Sequence, residues 1–96
     1  MVSQKVVVKN LKGLHIRPVT EMCNQAAKYK SIITFTVGDK TVNAKSLLSV
    51  LSAKVHCGAE IEFVCEGTDE EEALRKMIEI IEQGLGERID GEETLS

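Results

Sequence analysis

Aromatic residues are scarce in this chain: two phenylalanines, one tyrosine and no tryptophan among 96 residues. With 43% of residues hydrophobic, the core has to be filled by aliphatic side chains, and one modest domain is the expectation for this length. No apolar stretch approaches the roughly 20 residues that a membrane-spanning helix needs. The N-terminus lacks the basic-then-apolar layout of a secretory signal. The net charge is −3 and no basic stripe stands out, which argues against nucleic acid as a direct ligand. The three cysteines, Cys23, Cys57 and Cys65, are odd in number and include no Cys-x-x-Cys pair. Neither a disulfide framework nor a zinc site is indicated, and the adjacent pair His56-Cys57 lacks further spaced ligands. A cytoplasmic protein without metal or cofactor is the expectation.

What is present is regular patterning. Lys5 to Lys9 predicts a strand, since Val6, Val7 and Val8 form a β-branched apolar run. Asn10 to Gly13 is a loop. Val19, Met22, Cys23, Ala26 and Ala27 recur at helical spacing, and Lys28 and Lys30 follow in or just after the last turn. Ile32 to Val37 and Lys40 to Val42 predict two strands joined by a Gly38-Asp39 hairpin. Asn43 to Leu51 predicts a short helix with Ser46 as its N-cap, and Gly58 suggests a turn before the next strand. Glu60 to Glu66 alternates, with Ile61, Phe63 and Cys65 facing inward, as in an antiparallel sheet covered on one side. Thr68 with Glu71 three places on matches a capping box. A long helix follows, with Leu74, Met77, Ile78, Ile81 and Leu85 on one face and Gly84 and Gly86 at its end. Residues 87–96 are acidic and lack a period, so a domain over 1–86 and a loose tail over 87–96 are expected. The order βαββαβα implies an α+β two-layer sandwich.

One short segment concentrates chemistry: Gly13-Leu14-His15-Ile16-Arg17-Pro18. The chain's single proline suits the first turn of a helix, where backbone N–H groups have no intrahelical partner. Pro18 there places His15 at or near the N-cap. The N–H groups of Ile16 and Arg17 would then face the imidazole, and spare donors at the positive end of a helix make an anion site. That end favours the neutral, nucleophilic form of an imidazole. Arg17 adds a planar, permanently charged donor. A lone histidine at a helix start is more often a surface cap than a nucleophile. The accompanying arginine, proline and preceding glycine shift the balance.

Gly-Leu-His-x-Arg-Pro resembles the active-site motif of HPr, the histidine-containing phosphocarrier of the bacterial sugar phosphotransferase system. The likeness runs without a gap from about Val6 to about Gly86. It implies a four-stranded antiparallel sheet with three helices on one face. It also implies that His15 Nδ1 accepts a phosphoryl group from phosphorylated enzyme I and passes it to the IIA domain of a sugar permease. Arg17 would help bind that group and Pro18 would fix the helix start. The protein would be a phosphoryl carrier without turnover of its own, and a monomer.

Val42-Asn43-Ala44-Lys45-Ser46-Leu47 is similar to the regulatory-serine region of HPr proteins from low-GC Gram-positive bacteria. Capping alone explains a serine at Ser46. The resemblance implies in addition phosphorylation by an ATP-dependent serine kinase, after which a catabolite-control transcription factor would bind. A phosphate at a helix N-terminus is electrostatically welcome there. Leu47, Leu48 and Leu51 are either core or an exposed apolar patch. In HPr-like proteins this helix and the first one, here through Ile16, Thr20, Asn24 and Ala27, form the common docking face. Ile16 stands where the family has alanine, Lys12 where serine or threonine is common, and Ser49 and Lys54 where glycine is frequent. These departures leave open a regulatory HPr-like binding module that acts through Ser46 and docking rather than through sugar transport.

Overall fold

The computed structural model describes residues 1–86. The tail expected over 87–96 lies outside the described residues. Four strands, β1 (Val2–Val7), β2 (Ile32–Val37), β3 (Lys40–Asn43) and β4 (Glu60–Glu66), alternate with helices α1 (Ile16–Ala26), α2 (Leu47–Ser52) and α3 (Glu70–Glu82). A 3₁₀ turn over Gly84–Gly86 follows. The sheet order is β1-β4-β2-β3, with antiparallel pairing throughout. The expected two-layer sandwich is therefore present, with α3 packed on β1, β4 and β2, and α1 packed on both α2 and α3.

The side-chain alternation of the strands explains the two layers. Val6 pairs with Ile61, and Ile33 and Phe35 pair with Cys65 and Phe63. All six are buried under the helices. The rings of Phe35 and Phe63 meet edge to face, centroids 5.5 Å apart and planes at 64°, a favoured aromatic geometry. The other strand faces carry Ser3, Lys5, Glu60, Glu62, Thr34 and Thr36, none of them buried.

Several elements differ from expectation. The first strand runs over Val2–Val7 rather than Lys5 to Lys9, and its valines alternate: Val6 and Val8 are buried, Val7 is exposed. Beyond the strand, Val8 still donates to Ala59 O at 2.9 Å and accepts from Gly58 N–H at 2.7 Å. Leu85 is buried but lies outside α3, in the turn, with φ +52°. Ile80 and Ala73 also join the buried face of α3, because that helix meets both the sheet and α1.

The capping box at Thr68 does not form. Asp69 is the N-cap of α3, and its side chain makes no cap bond. Its carboxylate instead accepts the backbone N–H groups of Lys30 and Ser31, both at 2.9 Å, and the Ser31 hydroxyl. Glu70 reaches back to Gly67 N–H at 3.1 Å. A Cβ on Gly67 would lie 2.7 Å from Ser31 Cα, so glycine lets the two turns touch. Long-range partners 38 and 39 residues away displace the local cap.

These donors, the Ser31 hydroxyl foremost and the Lys30 amide next, hold the Asp69 carboxyl below the usual carboxylate range. A lowered folded pKa adds stability above the unfolded value near ~4 and loses it as pH falls through the lower folded value. Asp69→Asn should therefore lower the melting temperature at pH 7. The gap to the wild type should narrow as pH drops below about 4. Melts over that range check this, and a gap independent of pH would show that the charge contributes nothing.

Candidate functional site

His15 is the N-cap of α1, with extended backbone (φ −97°, ψ −174°) and no side-chain cap bond. The first bond of the helix runs from Val19 N–H to His15 O at 3.1 Å. The amides of Ile16 and Arg17 precede it and have no intrahelical acceptor, and Pro18 has no N–H to lose. His15 is half-buried, Arg17 exposed and Pro18 buried. The side chain that could do chemistry and the one that could bind an anion both reach solvent. The proline that fixes the turn faces inward. The expected grouping of His15, Arg17 and Pro18 at one helix start is present.

The placement of this helix start rests on long-range contacts that the sequence pattern does not show. Gly13 has φ +69°, and a Cβ there would lie 2.3 Å from Val55 O. Only glycine satisfies both the left-handed backbone and the close approach. Gly13 N–H donates to Asn10 O and Leu14 N–H to Val55 O, each at 2.9 Å. Buried Asn10 donates through Nδ2 to Gly84 O at 2.8 Å. The loop before α1 is thus held against the 55–56 backbone on one side and the turn after α3 on the other. The glycine itself was the available signal. Its partner, 42 residues on, was not visible in any local pattern.

Ser46 caps α2. Its Oγ accepts Ser49 N–H at 3.3 Å and its own N–H donates to Asn43 O at 3.0 Å. Lys45 Nζ donates to Tyr29 O at 2.7 Å, so the start of α2 lies by the chain leaving α1, while the end of α2 leads to Val55 and the His15 loop. Ser46 thus sits at the start of α2, and the His15 loop meets the chain just past its end.

The proposed docking residues divide. Ile16, Thr20, Asn24 and Ala27 are all exposed, at spacings of four, four and three that keep them on one strip. Thr20 Oγ1 donates to Ile16 O at 2.6 Å. Leu48 is 79% exposed and Ile16 57%, whereas Leu47 and Leu51 are partly buried against the core. Of the three leucines, Leu48 alone is a fully presented apolar group.

The cysteines are free: Cys57 exposed, Cys23 half-buried and Cys65 buried. Burial pushes the Cys65 thiol up to about 11, which makes it a packing residue rather than a nucleophile. Among the described residues, no three of His, Cys, Asp or Glu cluster to hold a metal ion.

Comparison with known proteins places this geometry. A family model described as the PTS HPr component phosphorylation site matches residues 2–83. The HPr-like protein Crh of Bacillus subtilis is 35% identical over 83 residues, covering 86% of this chain and 98% of that protein. The phosphocarrier protein HPr of Borreliella burgdorferi is 34% identical over 82 residues, covering 85% and 95%. The crystal structure of HPr-C-His from Thermoanaerobacter tengcongensis superposes with a TM-score of 0.88 at 36% identity, covering 93% of this chain and all of that one.

Gly13→Ala should destabilise the protein by about 2–4 kcal/mol, since it combines a left-handed backbone with a clash against a carbonyl. Denaturant unfolding checks this. A loss below about 1 kcal/mol would show that the 54–57 loop moves away freely.

Proposed function

The chain belongs to the HPr family, and from that premise we propose that it is a phosphocarrier of the phosphotransferase system that carries the phosphoryl group on His15 Nδ1. It receives the group from phosphorylated enzyme I and hands it to the IIA domain of a sugar permease. The observation that supports this most is the helix start itself. A solvent-accessible imidazole sits at the N-cap of α1, before two amides without intrahelical acceptors, and exposed Arg17 follows two residues on.

Chemically, the Nδ1 lone pair attacks phosphorus. The bond from phosphorus to its previous carrier breaks, and the electron pair leaves with that carrier. The amides and Arg17 meet the charge on the phosphoryl oxygens, so the protein supplies positioning and electrostatics. The return step is the same displacement by the IIA nucleophile. No cofactor enters, and the carrier ends each cycle unchanged. The exposed strip of Ile16, Thr20, Asn24 and Ala27 with Leu48 is the docking face for both partners, an apolar centre with a polar rim suited to transient contact. We place the protein in the cytoplasm as a monomer. Among the described residues no helix is long and apolar enough to cross a membrane.

A second role is favoured by the Crh relative, described as the Bacillus subtilis catabolite repression HPr, and by Ser46 at the start of α2. Phosphorylation by a serine kinase would add roughly two negative charges next to Leu47 and Leu48. The charge would act on the shared docking face rather than on His15, whose loop meets the chain just past the other end of α2. It would weaken docking to enzyme I and create a surface for a catabolite-control transcription factor.

Incubation with phosphoenolpyruvate, magnesium and a bacterial enzyme I should add one phosphoryl group to the intact mass. Brief acid should remove it, and His15→Ala should lack it while melting normally. A chain that gains no mass while a known HPr does in the same mixture is not a carrier for that system. Ser46→Asp should slow transfer from enzyme I by about fivefold, equivalent to ~1 kcal/mol. An unchanged rate would remove the electrostatic basis of regulation.

A further inference from the structure

We propose that Lys54 is a second cationic partner, beside Arg17, for a phosphoryl group on His15. The inference rests on the carrier role proposed above. Three independent features of Lys54 lead to it.

The first is proximity. A Cβ on Gly13 would lie 2.3 Å from Val55 O, and Leu14 N–H donates to the same oxygen at 2.9 Å. His15 follows Leu14 and Lys54 precedes Val55, so each is one residue from that contact. A flexible four-carbon stem ending in a compact charge then starts beside the loop that carries the imidazole.

The second is conformation. Ala53 is the C-cap of α2, and Lys54 follows with φ +52°. Its amide donates to Leu51 O at 3.2 Å, closing the helix end. A left-handed residue at this place in a helix terminus is ordinary, but glycine adopts it without steric cost and lysine does not. Helix termination explains the backbone and leaves the lysine side chain unexplained. Residues held in such conformations gather at functional sites.

The third is availability. Lys54 is exposed, and its ammonium has no ion pair or hydrogen bond with the described residues. Among the described residues, Arg17 on α1, Lys12 in the turn before Gly13 and His56 on the same loop as Lys54 are charged or titratable neighbours in the chain, and Glu21 on α1 and Lys76 on α3 line one pocket with Arg17. The Gly84–Gly86 turn contributes no charged side chain. An imidazole that becomes dianionic on phosphorylation would have Lys54 on the face across the loop and Arg17 on the helix side. The two cations would hold the phosphoryl oxygens from two directions, and Lys54 would favour their fully ionised form.

The test uses the whole chain phosphorylated with potassium phosphoramidate, whose phosphoryl group moves to the imidazole with loss of ammonia, so no partner protein is involved. The ³¹P signal of phospho-His15 is titrated at low salt in the wild type and in Lys54→Met, Lys54→Gly, Lys54→Arg and Lys28→Met. Lys28 lies past the far end of α1, roughly 18 Å along the helix direction from the site, and controls for net charge. Lys54→Met and Lys54→Gly should raise the phosphoryl titration midpoint by about half a unit, while Lys54→Arg and Lys28→Met stay near the wild type. Lys54→Gly should also melt higher than the wild type, so its raised midpoint cannot come from a damaged fold. Titration of both uncharged Lys54 variants with the wild type would overturn the inference and leave the carrier role standing. A wild-type chain that shows no phosphohistidine signal at His15 would instead remove the carrier role, and the inference with it.

Discussion

The bond from Leu14 N–H to Val55 O, 2.9 Å long, is the constraint on which the site depends. It joins a loop before the first helix to a loop after the second. With Gly13 pressed on the same backbone, it fixes where α1 begins. Two things follow from that: the N-cap place of His15 and the amides after it that have no intrahelical acceptor. A buried backbone donor without such a partner would be costly. The loop therefore has one well-defined arrangement, although it lies at the surface.

The division of labour between the two layers follows from chemistry. The proposed transfer of a phosphoryl group between proteins needs a nucleophile that partners can reach, and His15 lies at an accessible helix start of the helical layer. The sheet supplies rigidity through its buried face, where the two phenylalanines meet at 5.5 Å within an otherwise aliphatic core. Asp69 ties the start of α3 to the start of β2. Asn10 ties the His15 loop to the turn after α3. These polar ties fasten both ends of α3, and with them the surface on which α1 rests. The helix start is held by structure, while His15, Arg17 and Ile16 stay accessible.

The two candidate sites, His15 and Ser46, lie by different ends of α2. His15 sits where α1 begins and α2 ends. Ser46 sits where α2 begins and α1 has ended. The exposed strip of α1 and Leu48 lie between them. On the reading proposed above, charge added at Ser46 would act on the docking strip from the end of α2 away from the His15 loop.

Local physics made much of this legible in the sequence. Alternation set the inward face of Glu60 to Glu66. Helical spacing marked α1 and α3. A single proline after Gly-x-His-x-Arg located the helix start, because proline's fixed φ and missing N–H suit few other places. Ser46 as an N-cap followed from its hydroxyl. What the sequence could not determine was anything settled by partners far along the chain. Asp69 abandons a local cap for amides 38 and 39 residues away. Thr68, which fits the capping motif, plays no part in it. Leu47 and Leu51 face the core while Leu48 faces solvent, because α1 covers one side of a helix too short to show a period. Gly13 and Lys54, both with left-handed backbone, acquire their meaning from the loop opposite. The sequence by itself determined the elements and the chemistry of the His15 motif, since both depend on near neighbours. The tertiary structure alone decided which loop faces that motif, since only packing brings residues 13 and 55 together.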